Sequence, residues 1–408
     1  MQGSPVVVHR KTILHMTATV IAAGARTPIG KLSGGLASLS GAELGGKAIA
    51  AALDRSGIQP DQVDYVLMGQ VLQAGTGQIT ARQAADHAGI PLGVPATTIN
   101  KVCLSGMNTI YLAWRMILAG DAEIVVAGGM ESMTNAPFLL TGARGGWKLG
   151  DQTAVDSLNH DGLFCALEHE LMGAATDRYL ASTGFDRGLQ DEIAAASHSR
   201  AATAQKNGTL AEEIVVVSVP QRRGDPIDVA DDEGIRPNTT ADSLASLRPA
   251  FSESGNITAG NASQISDGAS ATVVMSAAKA AELGVEPMAE LLSYGQVAGP
   301  DCSLLTQPSN AIRAALAASD GIDQGDLALY EINEAFAAVA AASIDDLGIS
   351  FDDVNVNGGA VALGHPIGAS GNRLVLTLTQ ELRRRGGGLG AAALCGGGGQ
   401  GDAVILRV

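Results

Sequence analysis

The chain has 408 residues, of which 46% are hydrophobic and 3% aromatic, and 52 are glycine. This length exceeds that of one minimal domain. A composition this apolar excludes a disordered chain, and the glycines lack the period of three of a collagen-like chain. The formal net charge of −16 argues against a nucleic-acid surface and against an anionic membrane.

The cysteines and the N-terminus predict the compartment. Four scattered cysteines lack CxxC spacing, which predicts no disulfide framework and favours a reducing cytoplasm. No uninterrupted run of about eighteen apolar residues occurs, so no membrane span is predicted. Residues 1–15 precede a second methionine and lack the hydrophobic core and cleavage site of a signal peptide, so we expect a simple extension.

Strand and helix patterns alternate in the first part of the chain. TATVIAAGARTP predicts a strand, and it is followed by a helix over 40–53, a strand over 63–71 and a helix over 80–88. ATTINKV then runs into Cys103, a helix follows over 105–119, and EIVVAGGMESM predicts a buried strand. This order indicates a layered α/β fold.

The alternation stops between residues 134 and 259, where Gly, Asp, Arg and Pro become frequent. Helical pieces over 172–180 and 189–206 and their apolar anchors favour an inserted loop domain over a linker. The sequence therefore predicts four units: an extension (1–15), an N-terminal half (16–133 plus 260–285), an insertion (134–259) and a C-terminal half (286–408).

The two halves resemble each other. Residues 270–284 resemble 17–31, and LALYEINEAF resembles VDYVLMGQV together with its helix. Both halves place Ser-Gly before a helix and paired glycines after the last strand, at 105–106 and 128–129 and again at 370–371 and 396–397. The offset of about 265 residues predicts an internal duplication.

Four polar residues stand in turns that could expose reactive groups. Cys103 begins a helix, where the positive dipole end favours a nucleophilic thiolate over a packing thiol. His365 lies between glycine and proline, which favours acid/base chemistry over a structural turn. Cys395 precedes four glycines and fits either packing or a loop that faces an anion. Asn333 could cap a helix or hold a water or a carbonyl group.

Two common nucleotide motifs are missing. GHPIGASG lacks the Gly-Lys-Ser/Thr ending of a phosphate loop, and no GxGxxG follows the first strand. Nucleotide hydrolysis and hydride transfer are therefore disfavoured.

An ordered set of motifs spans residues 16–408: GARTPIGK, NKVCLSGM, GGMESM, HDGL, ITAGNAS, DGA, NEAFA, NVNGGAVALGHPIGASG and CGGGGQG. Together they resemble the thiolase family, and within it the acetyl-CoA acetyltransferases. The resemblance implies a duplicated five-layer α/β/α/β/α fold with an inserted loop domain. It also implies reversible condensation of two acetyl-CoA to acetoacetyl-CoA and CoA, without a tightly bound cofactor or a metal.

The resemblance implies a role for each reactive residue. Cys103 would carry the acetyl group, His365 would accept its proton, and Cys395 would act as acid/base at the α-carbon of the second acetyl-CoA. One oxyanion hole would consist of His365 and a water held by Asn333. The backbone N–H groups of Cys103 and Gly397 would form the other.

The same resemblance implies that the insertion binds CoA. Arg236 and Ser243 would lie near the nucleotide portion. The pantetheine portion would contact three residues: Phe251, Ala259 and Ser263.

The resemblance also implies a homo-oligomer, either a dimer or a dimer of dimers, with inter-dimer contacts around 145–156. One departure is Leu171, which stands where many members have a histidine, while His169 lies two residues earlier. Cys165 and Cys302 match no catalytic motif, and we expect them to be packing residues.

Three alternatives follow. A 3-ketoacyl-CoA thiolase of β-oxidation would use the same residues with a longer pocket. A ketoacyl synthase shares the duplicated fold, but its usual site lacks a second cysteine, so Cys395 argues against it. A non-catalytic acyl-CoA-binding member would have lost a reactive residue, yet Cys103, His365 and Cys395 are all present.

Overall fold

The computed structural model describes residues 18–408, so the predicted extension over 1–15 lies outside the described residues. The first part of the chain alternates strands and helices as expected. Its elements are β1 (Thr19–Arg26), β2 (Gly30–Lys31), α1 (Gly41–Ser56), β3 (Tyr65–Gly69), α2 (Thr80–His87), β4 (Ala96–Ile99), α3 (Ser105–Ala119) and β5 (Ile124–Ser132).

The segment predicted as an insertion contains short strand pairs and helices. Its elements are β6 (Phe138–Leu139), β7 (Val155–Asp156), β8 (Phe164–Cys165), β9 (Glu170–Leu171), α4 (Met172–Leu180), α5 (Arg187–Lys206), β10 (Val217–Val219), β11 (Ile227–Val229) and α6 (Ala241–Ala245). The strands pair as three separate two-stranded sheets, β6 with β7, β8 with β9 and β10 with β11. The domain boundaries themselves remain predictions.

Long strands return after the insertion. The remaining elements are β12 (Ser266–Ser276), α7 (Ala277–Leu283), β13 (Ala289–Ala298), α8 (Gln307–Ala318), β14 (Leu327–Ile332), α9 (Ala337–Leu347), α10 (Ala360–Leu363), α11 (Ser370–Arg384), β15 (Leu389–Gly396) and β16 (Gln400–Arg407).

The long strands join in one continuous order, β14-β15-β16-β13-β1-β12-β5-β3-β4, and β2 pairs with β12. The two halves meet where β1 pairs antiparallel with β13. The outer pairs β3–β5, β3–β4 and β14–β15 are parallel, and the strands between them are antiparallel. Outward from the shared pair, β16, β15 and β14 repeat the pairing pattern of β12, β5 and β3, as expected for a duplicated chain, and β4 is an additional edge strand of the first half.

Strand β5 shows how the layers form. Val125 and Ala127 pack in one core with α3 and α11, whereas Ile124 and Val126 pack in another with α1 and α2. A strand buried on both faces lies between two helix layers. The C-terminal strands repeat this arrangement, with α11 on one face and α8 on the other. The predicted five-layer α/β/α/β/α fold is confirmed.

The topology corrects one detail of the predicted duplication. Residues 270–284, which resemble 17–31, form β12 and α7 rather than a second copy of β1. Because β1 and β13 pair at the centre of the strand order, β13 is the counterpart of β1, and β12 corresponds to β16. A short alternating apolar run is common to most strands of such a sheet, so it does not identify the matching strand.

Central helix α3 belongs to the only stretch within residues 18–408, Val102–Ala119, that is long and apolar enough to cross a membrane. Half of this stretch is buried inside the fold. Met107, Ile110 and Ala113 lie in the core that α3 shares with α11. Core helices pass the same test, so this stretch is weak evidence for a membrane span.

A buried ion pair connects the insertion to β1. The Arg26 guanidinium forms a bidentate pair with Asp232 at 2.7 and 2.8 Å and a further bond to Glu213 at 2.7 Å. Removing Asp232 would leave Glu213 to balance the Arg26 charge, but it would take away the acceptor for two guanidinium nitrogens and for the Ile29 N–H. Each buried donor left without a partner costs about 1–3 kcal/mol, so we expect Asp232→Ala to lower the free energy of unfolding by about 3–5 kcal/mol. Asp231→Ala, which alters the exposed neighbouring residue, should change the free energy of unfolding little. Equal free energies of unfolding for the two variants in chemical denaturation would contradict this expectation.

Candidate active site

Cys103 lies in the turn that connects β4 to α3. Val102 has a positive φ of 50°, which is rare for a β-branched residue and is typical of functional turns. Ser105 holds the turn, because its hydroxyl accepts from the Lys101 N–H at 2.8 Å and donates to the Val102 carbonyl at 2.6 Å. Cys103 is buried, at 5% exposure. It lies directly before Leu104, the N-cap residue of α3, and thus close to the predicted helix start.

The starts of α3 and α11 touch, and this contact brings the two halves together. A Cβ at Gly106 would lie 2.8 Å from the Gly368 carbonyl oxygen, and one at Gly371 would lie 2.4 Å from the Met107 nitrogen. Only glycine permits so close an approach of two backbones. The repeated Ser-Gly pairs thus allow the Cys103 turn and the His365 turn to pack side by side.

His365 is buried between α10 and α11, and its hydrogen bonds assign its tautomer. Nδ1 lies 2.6 Å from Ser370 Oγ, and that hydroxyl donates to the Pro366 carbonyl at 3.1 Å. Because the hydroxyl has one proton, Nδ1–H must donate to Ser370, which leaves Nε2 as a proton acceptor. Nε2 lies 3.5 Å from the amide nitrogen of Asn333.

Burial, with a smaller contribution from the Arg373 guanidinium, lowers the pKa of His365 to about 3. Desolvation disfavours the charged imidazolium, and a nearby positive charge adds to this effect. The imidazole is therefore neutral at physiological pH. A neutral ring with a free Nε2 can act as a base.

The two thiols lie close to each other. Burial raises the pKa of Cys103 to about 12, although N–H groups of Cys103 itself and of Gly397 donate to the sulfur and oppose the rise. Burial, followed by the negative charge of the Cys103 thiolate, raises the pKa of Cys395 well above its usual range. Both thiols are thus protonated at rest, and the glycine loop after Cys395 reaches Cys103.

Asn333 directly follows β14 and is fully buried. Its backbone N–H donates to the Ala393 carbonyl at 3.0 Å, which places it beside β15, the strand that carries Cys395. Its side-chain Oδ1 has no hydrogen-bond partner among the described residues. A buried oxygen without a partner is a site where a water can donate. Since α9 begins at Ala337, Asn333 is not the N-cap residue of that helix.

A cavity of about 290 Å³ opens onto His365. Its walls come mainly from the insertion and from the segment before β12, and they are largely apolar. The lining residues include Met133, Leu163, Leu171, Met172, Phe251, Phe336 and Ile367. An apolar cavity with a few polar groups in its lining is typical of a small-molecule site.

The five residues predicted to bind CoA divide into two groups. Phe251, Ala259 and Ser263 line the cavity, as expected for contacts with pantetheine. Arg236 and Ser243 are exposed and lie outside the lining. The Arg236 guanidinium lies 3.5 Å from Gln264, a lining residue, whereas the Ser243 hydroxyl donates to the Thr240 carbonyl at 2.7 Å.

Two residues that support the site were missed in the sequence. Ser370 was noted only as a helix start. Glu131, in the GGMESM motif, accepts three backbone N–H groups, from Val71, Leu72 and Gly368, at 3.0–3.1 Å. Burial raises its pKa to about 7. The sequence signal that could have identified Glu131 is a carboxylate near the end of a strand that is otherwise apolar.

Ser370→Ala should disturb the orientation of His365. We expect kcat to fall about five- to tenfold, because one buried hydrogen bond contributes about 1 kcal/mol. KM should change little, since the hydroxyl does not line the cavity. Ser343→Ala, which removes another buried serine bonded to a backbone carbonyl, is the matched control. An equal loss in both variants would contradict a specific role for Ser370.

The resting state should also be visible in thiol alkylation. Because the pKa of Cys103 is raised to about 12, its thiolate fraction should rise about tenfold per pH unit from pH 6 to 9. Iodoacetamide should therefore label Cys103 slowly at pH 7 and progressively faster at higher pH. A plateau near pH 7 would instead indicate a resting thiolate–imidazolium pair.

The five-layer duplicated fold, with the Cys103 turn and the His365 turn packed side by side, is that of the thiolases. The chain belongs to the thiolase family: the model of the thiolase N-terminal domain matches residues 19–278, and that of the C-terminal domain matches residues 285–408.

Named relatives cover nearly the whole chain. It is 56% identical to a probable acetyl-CoA acetyltransferase of Mycolicibacterium smegmatis, over 95% of this chain and 100% of the relative. It is 50% identical to the acetyl-CoA acetyltransferase of Cupriavidus necator, over 96% and 100%. The crystal structure of the Bacillus anthracis acetyl-CoA acetyltransferase superimposes with a TM-score of 0.93, at 38% identity, over 96% of this chain and 99% of that one.

Proposed function

We propose that this protein is an acetyl-CoA C-acetyltransferase, which condenses two acetyl-CoA to acetoacetyl-CoA and CoA and catalyses the reverse thiolysis. The observation that carries the proposal is the packing of the Cys103 turn on the Cys395–Gly397 loop from the opposite half of the fold, because a Cβ at Gly396 would lie 2.6 Å from Leu104 and one at Gly397 would lie 3.4 Å from Val102. Relatives named acetyl-CoA acetyltransferases at 50–56% identity support the substrate.

In the first half-reaction, Cys103 attacks the thioester carbonyl of acetyl-CoA while His365 Nε2 accepts its proton. The carbonyl oxygen becomes negative, and the N–H groups of Cys103 and Gly397 can stabilise it, since both lie close enough to the Cys103 sulfur to lower its pKa. The thioester C–S bond then breaks, and the acetyl group remains on Cys103. CoA leaves as a thiolate that needs a proton.

Cys395 can supply that proton, and this transfer also prepares Cys395 for the second half-reaction. Its raised pKa makes the thiol a weak acid, but it makes the thiolate, once formed, a strong base. Protonation of the departing CoA by Cys395 leaves a strongly basic, buried thiolate. This thiolate removes the α-proton of the second acetyl-CoA, so both steps use one group in alternate states.

In the second half-reaction, the enolate carbon attacks acetyl-Cys103, the acetyl C–S bond breaks, and acetoacetyl-CoA forms. Cys103 leaves as a thiolate and recovers its proton from His365. The enolate oxygen would be stabilised by His365 and by a water held at Asn333, whose buried Oδ1 has no partner among the described residues. Oriented donors at a developing oxyanion are usually the largest catalytic contribution.

The insertion would hold CoA with Phe251, Ala259 and Ser263 around the pantetheine arm. This assignment is supported by their place in the cavity wall beside His365. Arg236 and Ser243 would contact the nucleotide at the outer end of the channel, and their exposure is compatible with a phosphate-bearing group. All five assignments are proposals.

One assay tests the proposed substrate: thiolysis by CoA of 3-ketoacyl-CoA esters of increasing chain length. We expect the highest kcat/KM with acetoacetyl-CoA and a steady fall with longer chains. A maximum at a longer chain would favour a broad 3-ketoacyl-CoA thiolase, which the apolar Leu171 in the cavity wall would suit. Inertness with every chain length would contradict both activities.

We also propose a cytoplasmic homo-oligomer. The four free cysteines suit a reducing compartment.

One surface segment exposes large hydrophobic side chains, as expected for a contact between subunits: Phe138, Leu140, Trp147 and Leu149. Sedimentation should show a dimer or tetramer, and Trp147→Glu/Leu149→Glu should reduce a tetramer to dimers. A wild-type monomer would contradict the proposal.

A further inference from the structure

Two cysteines outside the catalytic site meet a carboxylate. Cys165 lies at the end of β8, Glu168 lies in the turn before β9, and Cys302 lies in the loop after β13. The two sulfur atoms and a carboxylate oxygen all lie within 4.8 Å of one another. The sequence suggested packing residues here, but packing alone does not explain why a carboxylate joins the two thiols.

The carboxylate of Glu168 is held through one oxygen. Oε1 accepts from the Tyr179 hydroxyl at 2.7 Å and from the Arg178 guanidinium at 2.9 Å. Oε2 is buried and has no hydrogen-bond partner among residues 18–408. Ligating carboxylates are commonly oriented by such hydrogen bonds to their second oxygen. One oxygen of Glu168 is therefore fixed, while the other is free to bind a cation.

We propose that Cys165, Glu168 and Cys302 form a zinc site, with two thiolates and one carboxylate as protein ligands and water in the fourth position. Zinc prefers sulfur and oxygen ligands of this kind in tetrahedral geometry, with Zn–S distances of about 2.3 Å. Arg178 provides a compensating positive charge beside the carboxylate. Binding releases the two thiol protons to solvent, so affinity falls as the pH is lowered.

The access to the site and its place in the fold suit this role. Glu168 and Cys302 are partly exposed, which gives an ion a path from solvent. Residues 301–302 pack directly on the catalytic glycine loop, because a Cβ at Gly399 would lie 2.0 Å from the Asp301 carbonyl oxygen. After Glu168 the chain continues through β9 into the cavity wall at Leu171. The ion would tie the cavity wall to that loop.

Metal titration of the purified full-length protein tests the site directly. Protein stripped with a chelator should bind one equivalent of Zn²⁺ with a rise in the melting temperature. One equivalent of Co²⁺ should produce a thiolate-to-cobalt charge-transfer band. Cys302→Ser should weaken Co²⁺ affinity more than 100-fold. The milder Glu168→Gln should weaken it about 10-fold or more. Tyr179→Phe, which removes only a supporting bond, should weaken it about tenfold.

The catalytic thiols need a control, because they could also bind a soft metal. Cys103→Ala/Cys395→Ala should keep both the stoichiometry and the charge-transfer band. The proposal is overturned if the wild type gives no cobalt band, if the band survives Cys302→Ser, or if it disappears with the catalytic pair. A Cys165–Cys302 disulfide in the purified protein, found by peptide mapping, would also overturn it. The metal readout does not depend on enzymatic activity.

Discussion

Cys103→Ala is expected to abolish acetoacetyl-CoA thiolysis, with a loss of kcat on the order of 10⁵–10⁶. Cys395 is not expected to take its place, because the pKa of Cys395 is raised further than that of Cys103, and Cys165 and Cys302 lie together in a separate cluster. The measurement is the rate of acetoacetyl-CoA consumption at saturating CoA.

The fold of this variant should survive. Alanine fills most of the volume of a small buried thiol, and Cys103 donates no side-chain bond that holds the turn, since that role belongs to Ser105. The melting temperature should therefore stay within a few degrees of the wild-type value. Undiminished thiolysis in a well-folded variant would contradict the nucleophilic role.

Cys395→Ser should separate the two half-reactions. The serine hydroxyl is a far weaker acid than a thiol, so the anionic base that removes the α-proton is much harder to form, and this step should slow by about 10²–10⁴. Exchange of α-deuterium from labelled acetyl-CoA into solvent measures this step. Transfer of the acetyl group to Cys103 should fall much less, because water or His365 can protonate the departing CoA.

The matched comparison is Cys103→Ala, in which acetylation should be lost. Because a serine at position 395 is close to isosteric, it should preserve packing against Ala338 and Leu304 in the same core. Equal losses of exchange and acetylation in Cys395→Ser would remove the acid/base role from this residue.

The sequence predicted the elements that local patterns control. The helices over 105–119 and 172–180 agree with the observed Ser105–Ala119 and Met172–Leu180. Gly120, in the left-handed conformation at φ 79°, ends the first of them as a glycine after an apolar helix should. The layered fold followed from the alternation of strand and helix patterns.

Features that depend on tertiary contacts could not be predicted in this way. The bond from His365 to Ser370 depends on how the turn over Pro366 folds back onto the first residue of α11. The meeting of Cys165 with Cys302 joins the insertion to the C-terminal half, and no local pattern encodes it. The predicted match of residues 270–284 to 17–31 was wrong because similar apolar strands are distinguished only by the strands they pair with in the sheet.

The roles of Cys103 and Cys395 stay predictions until they are measured. The most direct test is to incubate the wild-type enzyme with acetyl-CoA, quench with acid and map the acetylated peptide by mass spectrometry. We expect the acetyl group on the peptide that contains Cys103 and none on the peptide that contains Cys395. An acetyl group on Cys395, or no acetyl-enzyme under rapid quench, would contradict the division of labour proposed between the two halves of the fold.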